Sequence, residues 1–469
     1  MKKTKIICSM GPASMDPKTL EEMSIHGMNV ARINFSHGDY AEYDEMLESI
    51  YKVRNETGKQ VGILWDTKGP EFRTSEMKHS FELEEGQHIQ IVKREVLGDS
   101  KRFGVNHPKA LENIKEGSSI LIDNAKIKLI VTEKNDDYID CEVLNGGLLS
   151  SHKSISVPGV QLNLPYISTE DKKDIEYACR NDGEFLALSF VSSKDDVLAI
   201  KKIIKEYDRE DLKIISKIEN KLAIDNIDEI LDVSDGIMVA RGDLGTEIES
   251  EKLPIIQKQI IKRARKKGKI SIVATEMLES MMEDARPKRA ETSDIANAVL
   301  DGTDAVMLSG ETTVGQRPID TCTAMGKICE VTEEYATFDY INEDEPVEDV
   351  SKAIADAVVN TSNRIGAKLI CASTISGETA AEISNLKPDA FILALCPNEK
   401  ICRMLSLNYG VYTKVIPFYN STDEILLKSV DMGKDFMKLK TDDIIITTGS
   451  FPNTGESSPT NLMKIEKID

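Results

Sequence analysis

The sequence predicts an α/β protein: a (β/α)8 TIM barrel with an inserted small β-barrel lid domain and a C-terminal α/β domain. Three observations predict it. Short β-branched and aliphatic runs alternate with amphipathic helical stretches, the pattern of a parallel sheet, and eight such runs suit closure into a barrel wrapped by helices. The gap between the third and fourth runs is too long for a loop and holds strand patterns of its own. An acidic, proline-containing stretch at 338–350 then sets a last strand–helix alternation apart. An open doubly wound sheet is the alternative; the lack of a glycine-rich phosphate turn after the first run counts against it.

The elements follow in order. A run at 5–8, a helical stretch at 18–25, a run at 30–35, a helix at 43–57 and a run at 61–65 make up the first part of the barrel, residues 1–68. Residues 69–162 carry short strand patterns at 81–83, 88–92, 119–122, 126–131 and 138–143, separated by Gly-, Asn- and Asp-rich turns. Over the barrel mouth such a domain is either a lid that excludes water or a passive insertion. Runs at 185–190, 213–218, 236–240, 271–274 and 305–308, with helices at 194–207 and 252–267, complete the barrel over 163–336. Residues 337–469 open with a helix at 351–364, followed by strands at 369–372, 391–395, 411–416 and 444–447. The segment Ser373-Thr-Ile-Ser-Gly-Glu-Thr379 lies between a strand and a helix, and reads as a phosphate-holding turn or as a plain N-cap.

Composition excludes several function classes. With 59 basic and 80 acidic residues the net charge is −21, so no nucleic-acid or anionic-membrane partner is expected, although a few local cations suffice for a phosphorylated substrate. No apolar run approaches the roughly 18 residues of a membrane span. The first nine residues are too short for a signal peptide and read as a strand. The eight cysteines form no CxxC pair, which points to reduced, buried thiols in a cytoplasmic protein. All six histidines lie in the first third of the chain with no zinc-site spacing, and the basic run 262–267 reads as a solvated helix face. Any chemistry therefore comes from Lys, Arg, Asp, Glu, Ser and Thr.

Those residues gather where barrel enzymes build active sites, at the carboxyl ends of the strands. The apolar runs finish in Ser9-Met-Gly11, Arg32-Ile-Asn-Phe-Ser36, Asp66-Thr-Lys68, Ser189, Lys217-Ile-Glu219, Arg241-Gly-Asp243, Thr275-Glu276 and Ser309-Gly-Glu311. Side chains of a strand alternate faces, so Arg32, Asn34 and Ser36 project together, as do Lys217 with Glu219 and Arg241 with Asp243. Any one such pair is commonly a solvated ion pair; eight ends converging on one mouth are not. Glu219 and Asp243, at the ends of adjacent strands, offer oxygen donors suited to Mg²⁺ or Mn²⁺. Lys217 places a cation beside them, and metal with ammonium stabilises an enolate or a transferring phosphoryl group. Arg32 and Arg73 are further cations for phosphate oxygens, and Thr275 with the amides of Gly242 and Asp243 suits a carboxylate. Asn34, Ser36, Asp66 and Thr67 offer oxygens with one full negative charge, a set for a monovalent cation. The constellation reads as phosphoryl transfer with an enolate partner. A metal-dependent aldolase or lyase acting on a pyruvate enolate, and a non-catalytic metabolite sensor, are the rival readings.

The motifs also match a family. Segments Lys5-Ile-Ile-Cys-Ser-Met-Gly-Pro-Ala-Ser14, Asn29-Val-Ala-Arg-Ile-Asn-Phe-Ser-His-Gly38, Asp66-Thr-Lys-Gly-Pro-Glu-Phe-Arg73 and Ile215-Ser-Lys-Ile-Glu-Asn220 are matched in order. So are Met238-Val-Ala-Arg-Gly-Asp-Leu-Gly245, Ala274-Thr-Glu-Met-Leu-Glu-Ser-Met281, Arg286-Pro-Lys-Arg-Ala-Glu291 and Met307-Leu-Ser-Gly-Glu-Thr312. From end to end the chain resembles the pyruvate kinase family. The resemblance implies transfer of phosphate from phosphoenolpyruvate to ADP, giving ATP and pyruvate at the end of glycolysis. It implies catalytic roles for Lys217, Arg32 and Thr275, with Lys217 stabilising the transition state. It further implies substrate contacts at Arg32, Lys217, Gly242, Asp243 and Thr275, and nucleotide contacts at Asn34, His37, Arg73 and Lys153. Glu219 and Asp243 match the Mg²⁺ ligands, and Asn34, Ser36, Asp66 and Thr67 the K⁺ ligands. A homotetramer controlled by a phosphorylated allosteric effector is implied as well.

Departures from the family pattern are few. Glu276 stands where Gln is usual, which implies only a tuning of substrate affinity, and Leu222 where an acidic residue is commoner. Glu71 resembles the K⁺-dependent members. Ile375 and Glu378 interrupt the Ser/Thr/Gly turn and no basic cluster lies beside it, so activation by fructose 1,6-bisphosphate is not expected. With Asp469 the last residue, the extra domain that some bacterial members append is not expected.

Overall fold

Runs dominated by β-branched and aliphatic residues on both faces cannot leave either face in water, and here both faces are covered. In a computed structural model describing residues 1–338, 349–417, 419, 421–451 and 458–469, the runs become β1 (Lys5–Ser9), β2 (Val30–Asn34), β3 (Gly62–Asp66), β4 (Phe185–Leu188), β5 (Lys213–Ile218), β6 (Gly236–Ala240), β7 (Ile270–Ala274) and β8 (Ala305–Leu308). They pair in parallel in sequence order, and β8 closes on β1 through Lys5↔Ala305 to Cys8↔Leu308. Closure excludes the open sheet. Alternation does the rest: Ile7, Leu64, Ile215 and Met238 fill the barrel interior, while neighbours such as Ile6, Ile63 and Ile214 pack outward against the helices.

Barrel strand ends differ from the expected runs by a residue or two. The largest difference in the barrel is β4, which stops at Leu188 because Phe190 adopts a left-handed φ of 54° that no extended strand tolerates. A helix at Thr169–Arg180, with a full capping box from Ser168 and Asp171, leads the chain back from the insertion to the barrel.

The inserted domain is a six-stranded sheet in the order Ile155–Ser156, Ser119–Ile122, Ile127–Lys134, Tyr138–Asn145, His88–Val92 and Arg102–Gly104, with a ribbon of Phe81–Leu83 and Gly147–Leu149 beside it. Sheet and ribbon share one core around Ile89, Phe103, Leu129 and Val143. The C-terminal domain has four parallel strands, Val411–Val415, Phe391–Cys396, Leu369–Ser373 and Ile444–Gly449, and an antiparallel edge, Leu462–Lys467, that the sequence reading did not anticipate. Residues 339–348 of the expected boundary stretch lie outside the described residues.

The C-terminal domain seats on the amino-terminal end of the barrel. Arg403 Nε lies 2.7 Å from Glu184 Oε1, and Lys387 pairs with Asp304. Leu407, fully buried, closes the barrel interior from below. All eight cysteines are free and buried, and among the described residues no helix is long and apolar enough to cross a membrane.

Candidate active site

At the carboxyl-terminal mouth, parallel register lines up the charged strand ends. Ser9 of β1 is opposite Arg32 of β2, and Asn34 of β2 is opposite Asp66 of β3. Arg32 donates from Nε to Asp66 Oδ2 at 2.6 Å and from Nη1 to Ser9 Oγ at 2.7 Å. Lys217 Nζ lies 3.3 Å from Asp66 Oδ1 and 2.9 Å from Glu219 Oε1, and donates to Ser189 Oγ at 2.7 Å. Glu219 Oε2 accepts from the Phe190 amide at 2.7 Å. Arg32, Asp66, Lys217 and Glu219 therefore form one continuous buried chain of alternating charge. The two-residue strand period predicted this for Lys217 and Glu219, and it held.

Burial opposes every charge in this chain, and the neighbours decide which survive. For Asp66, Lys217 and Arg32 outweigh burial and hold its carboxyl below the ordinary range. Lys217 is penalised by burial, yet Asp66 and Glu219 hold it above the usual lysine value, so it is an ammonium. Glu219 is pushed up to about 7, by burial first and by the like charge of Asp243 next, against the pull of Lys217. The donor set fits a hard divalent cation. It consists of carboxylate oxygens alone, and a cation between them would relieve the repulsion between Glu219 and Asp243. Among the described residues no group of three or more His, Cys, Asp or Glu side chains converges, so these two acids would leave positions open for substrate oxygens.

Arg241 departs from expectation. It does not continue the strand alternation, because Arg241–Glu247 is helical from its first residue. That helix places Asp243 in its first turn and turns Arg241 toward β7. There its Nη2 donates to the carbonyls of Thr275 at 2.7 Å and Glu276 at 3.2 Å, while Nη1 pairs with Asp294. Thr275 and Glu276 are both left-handed, with φ of 70° and 53°, a conformation costly for side chains other than glycine. The guanidinium holds them there. Thr275 Oγ1 in turn accepts the Gly242 amide at 2.7 Å, bringing Gly242, Asp243 and Thr275 to one corner of the mouth.

Beside this corner a cleft of about 650 Å³ separates barrel and inserted domain, lined by Arg73, Lys153, Glu219, Asp243, Phe190 and Glu247 among others. Arg73 holds Glu71 through two bonds of 3.0 and 2.7 Å and donates to the His152 carbonyl at 2.9 Å. Lys153 Nζ is 3.0 Å from Asp123 Oδ1. Arg32, Lys217 and Thr275 do not line that cleft; nor do Asn34, Ser36, Asp66, Thr67 or His37. Asn34 Oδ1 accepts the Ser36 amide at 3.1 Å, and Ser36 and His37 are exposed on the rim. Thr67 Oγ1 accepts the Ser189 amide at 3.1 Å.

Sequence reasoning gave no role to Ser9 and Ser189, although both stand at strand ends, and it missed Glu247, whose carboxylate accepts from Ser156 Oγ of the inserted domain. Strand register would have found the two serines. Nothing local marks Glu247.

Comparison with known proteins agrees with this architecture. A family model described as the pyruvate kinase barrel domain matches residues 1–322, and one described as the pyruvate kinase alpha/beta domain matches 352–466. A pyruvate kinase of Sporosarcina psychrophila is 44% identical over all of this chain and 81% of the relative. That of Clostridium perfringens (strain 13 / Type A) is 41% identical over the full length of both. Among solved structures, a pyruvate kinase from Cryptosporidium parvum matches with a TM-score of 0.93 and 36% identity, covering 99% of this chain and 96% of the other. With both domain models matched and an oxygen-lined, lysine-bearing barrel mouth, the chain belongs to the pyruvate kinase family, divalent-metal-requiring phosphotransferases that convert phosphoenolpyruvate and ADP to pyruvate and ATP.

Proposed function

We propose that Lys217 stabilises the transition state of this transfer, and that the chain around it divides the substrates between two walls of the mouth. When the phosphorus–oxygen bond of phosphoenolpyruvate breaks, negative charge develops on the enolate oxygen. A preorganised ammonium in a buried site opposes that charge without reorganisation. The observation that carries the reading is the set of three acceptors on Lys217: Asp66 at 3.3 Å, Glu219 at 2.9 Å and Ser189 at 2.7 Å.

Glu219 and Asp243 would hold Mg²⁺ or Mn²⁺, and Asn34, Ser36, Asp66 and Thr67 would hold K⁺. Bound there, the divalent ion supplies positive charge to the phosphoryl oxygens. Arg32 binds the phosphate of phosphoenolpyruvate while Asp66 keeps its guanidinium plane fixed. Gly242, Asp243 and Thr275 receive the carboxylate. Asn34, His37, Arg73 and Lys153 bind the nucleotide, whose phosphates compete with Glu71 for Arg73 and with Asp123 for Lys153.

We divide the chain into a catalytic barrel (1–68 and 163–336), a lid (69–162) and a regulatory and oligomerisation domain (337–469); the separate alpha/beta-domain match and the inserted domain's own core support that division. Family membership supports a homotetramer, and free buried thiols support a cytoplasmic enzyme. The 373–379 turn lines a cavity of about 260 Å³ with Asp349, Glu378 and Glu382, and no lysine or arginine is among the described lining residues. That lining disfavours a sugar bisphosphate as the phosphorylated effector there.

Lys217→Met tests the central role. It keeps an unbranched side chain one heavy atom shorter and removes the charge, and it is expected to lower kcat at least about a hundredfold, the scale of losing one oxyanion donor. Mn²⁺ and ADP binding should persist. A loss below about threefold would move the role to another residue.

A further inference from the structure

We propose that Ser189 and Phe190, just past β4, are positioning residues that aim Lys217 and Glu219 and tie both to the two chain connections of the lid. The inference rests on the role given to Lys217 above. Ser189 is 2% exposed, and its hydroxyl has one proton, for which the Thr67 carbonyl at 2.7 Å is a nearer acceptor than Asp66 Oδ1 at 3.3 Å. The oxygen is thereby turned to accept from Lys217 Nζ at 2.7 Å. The two carboxylates on Lys217 set its charge. The serine is its neutral acceptor and sets direction.

The next residue holds the next charge. Phe190 is left-handed at φ 54°, and this bend points its amide at Glu219 Oε2, 2.7 Å away. One sharp turn thus fixes both an ammonium and a carboxylate. The Ser189 amide is held by Thr67 Oγ1 at 3.1 Å, and its carbonyl accepts from the Tyr166 hydroxyl at 3.1 Å. Tyr166 lies where the chain returns from the lid. Where the chain leaves for the lid, Gly69 at φ 72° passes so close that an added Cβ would sit 2.8 Å from the Ser189 carbonyl oxygen. Both lid connections therefore abut the residue that orients Lys217, and a displacement of about 1 Å in a reacting group costs roughly a hundredfold in rate.

The test is a cycle of Ser189→Ala and Lys217→Met. Alone, Ser189→Ala is expected to lower kcat about tenfold to a hundredfold, the range of a charge-assisted hydrogen bond. KM for both substrates and Mn²⁺ affinity by electron paramagnetic resonance should stay within about threefold. On the Lys217→Met background the same change should cost less than about twofold, because Ser189 acts through the missing ammonium. Tyr166→Phe, which keeps the ring, should lower kcat about threefold to tenfold on the parent and not on the Lys217→Met background; it carries the test if Ser189→Ala does not fold. The proposal is overturned if kcat of Ser189→Ala stays within about twofold of the parent, if the loss is equal on both backgrounds, or if it follows a matching fall in melting temperature and Mn²⁺ affinity. A collapse with Lys217→Met but none with Ser189→Ala would leave the role of Lys217 standing and remove this inference alone.

Discussion

Asp66 carries two cations on one fully buried carboxylate, Arg32 on one oxygen and Lys217 on the other. Burial works against its charge, and the two cations hold its carboxyl below the ordinary range, so it stays ionised throughout the neutral range. It is the one full negative charge in the set with Asn34, Ser36 and Thr67, which suits a monovalent ion. Glu71 strengthens that argument from the opposite side: its carboxylate is spent on Arg73, and no lysine stands there to replace an ion's charge. In K⁺-free tetramethylammonium buffer the rate is predicted to fall about tenfold or more, equivalent to about 1.4 kcal/mol of transition-state stabilisation. An unchanged rate would remove K⁺ from the reading. Lys217 and Glu219 were legible in the sequence because a strand repeats every two residues. The orientation of Thr275 was not, because its left-handed backbone is held by Arg241, a residue of the preceding strand–helix unit.

Among the elements, the inserted domain pairs a histidine with a carboxylate across two strands. His88 and Asp140 lie on neighbouring antiparallel strands, a diagonal two residues off the His88↔Glu142 and Gln90↔Asp140 register, and His88 Nδ1 is 2.6 Å from Asp140 Oδ1. The hydrogen bond to Asp140 raises His88 above its ordinary 6.5, against desolvation. A raised folded pKa stabilises the fold fully below the unfolded value near 6.5 and loses that contribution as pH rises through the folded value. Asp140→Asn is predicted to bring the His88 midpoint, followed by NMR, down toward 6.5. A midpoint that does not move would show that another group sets it. The eight barrel strands and the longer strands of the other two domains were legible because hydrophobic period and turn residues are local; the strands Arg102–Gly104, Gly147–Leu149, Ile155–Ser156 and Leu462–Lys467 were not. The switch at Ala240 from strand straight to the helix Arg241–Glu247 was not: Arg241-Gly-Asp243 alternates equally well as a strand end, and the contacts of Arg241 with β7 and Asp294 decide against it.

For the whole molecule, the join between barrel and C-terminal domain is part of the barrel itself. Leu407, from the loop after Glu399–Met404, belongs to the inner core with Ile7, Val30 and Leu64, and a Cβ at Gly62 would collide with the hydroxyl of Ser406. Around this plug, Arg403 joins Glu184 at 2.7 Å, and Arg54 approaches Glu184 at 3.6 Å from the barrel side. Leu407→Ala is predicted to destabilise the protein by about 2–5 kcal/mol, the cost of a buried leucine cavity, measured by denaturant unfolding. A cost under about 1 kcal/mol would mean that the barrel floor closes without it. Eight largely apolar runs and their polar carboxyl ends were enough to favour a barrel with an oxygen-and-ammonium mouth, since each follows from residues close in sequence, while closure itself, which excludes the open sheet, is a property of the folded chain. Which acceptor aims Lys217, which guanidinium holds Thr275 and which leucine plugs the floor were decided by folding. In each case the partner arrives from another strand or another domain, and neither distant contacts nor the left-handed turns they hold are encoded by neighbouring residues alone.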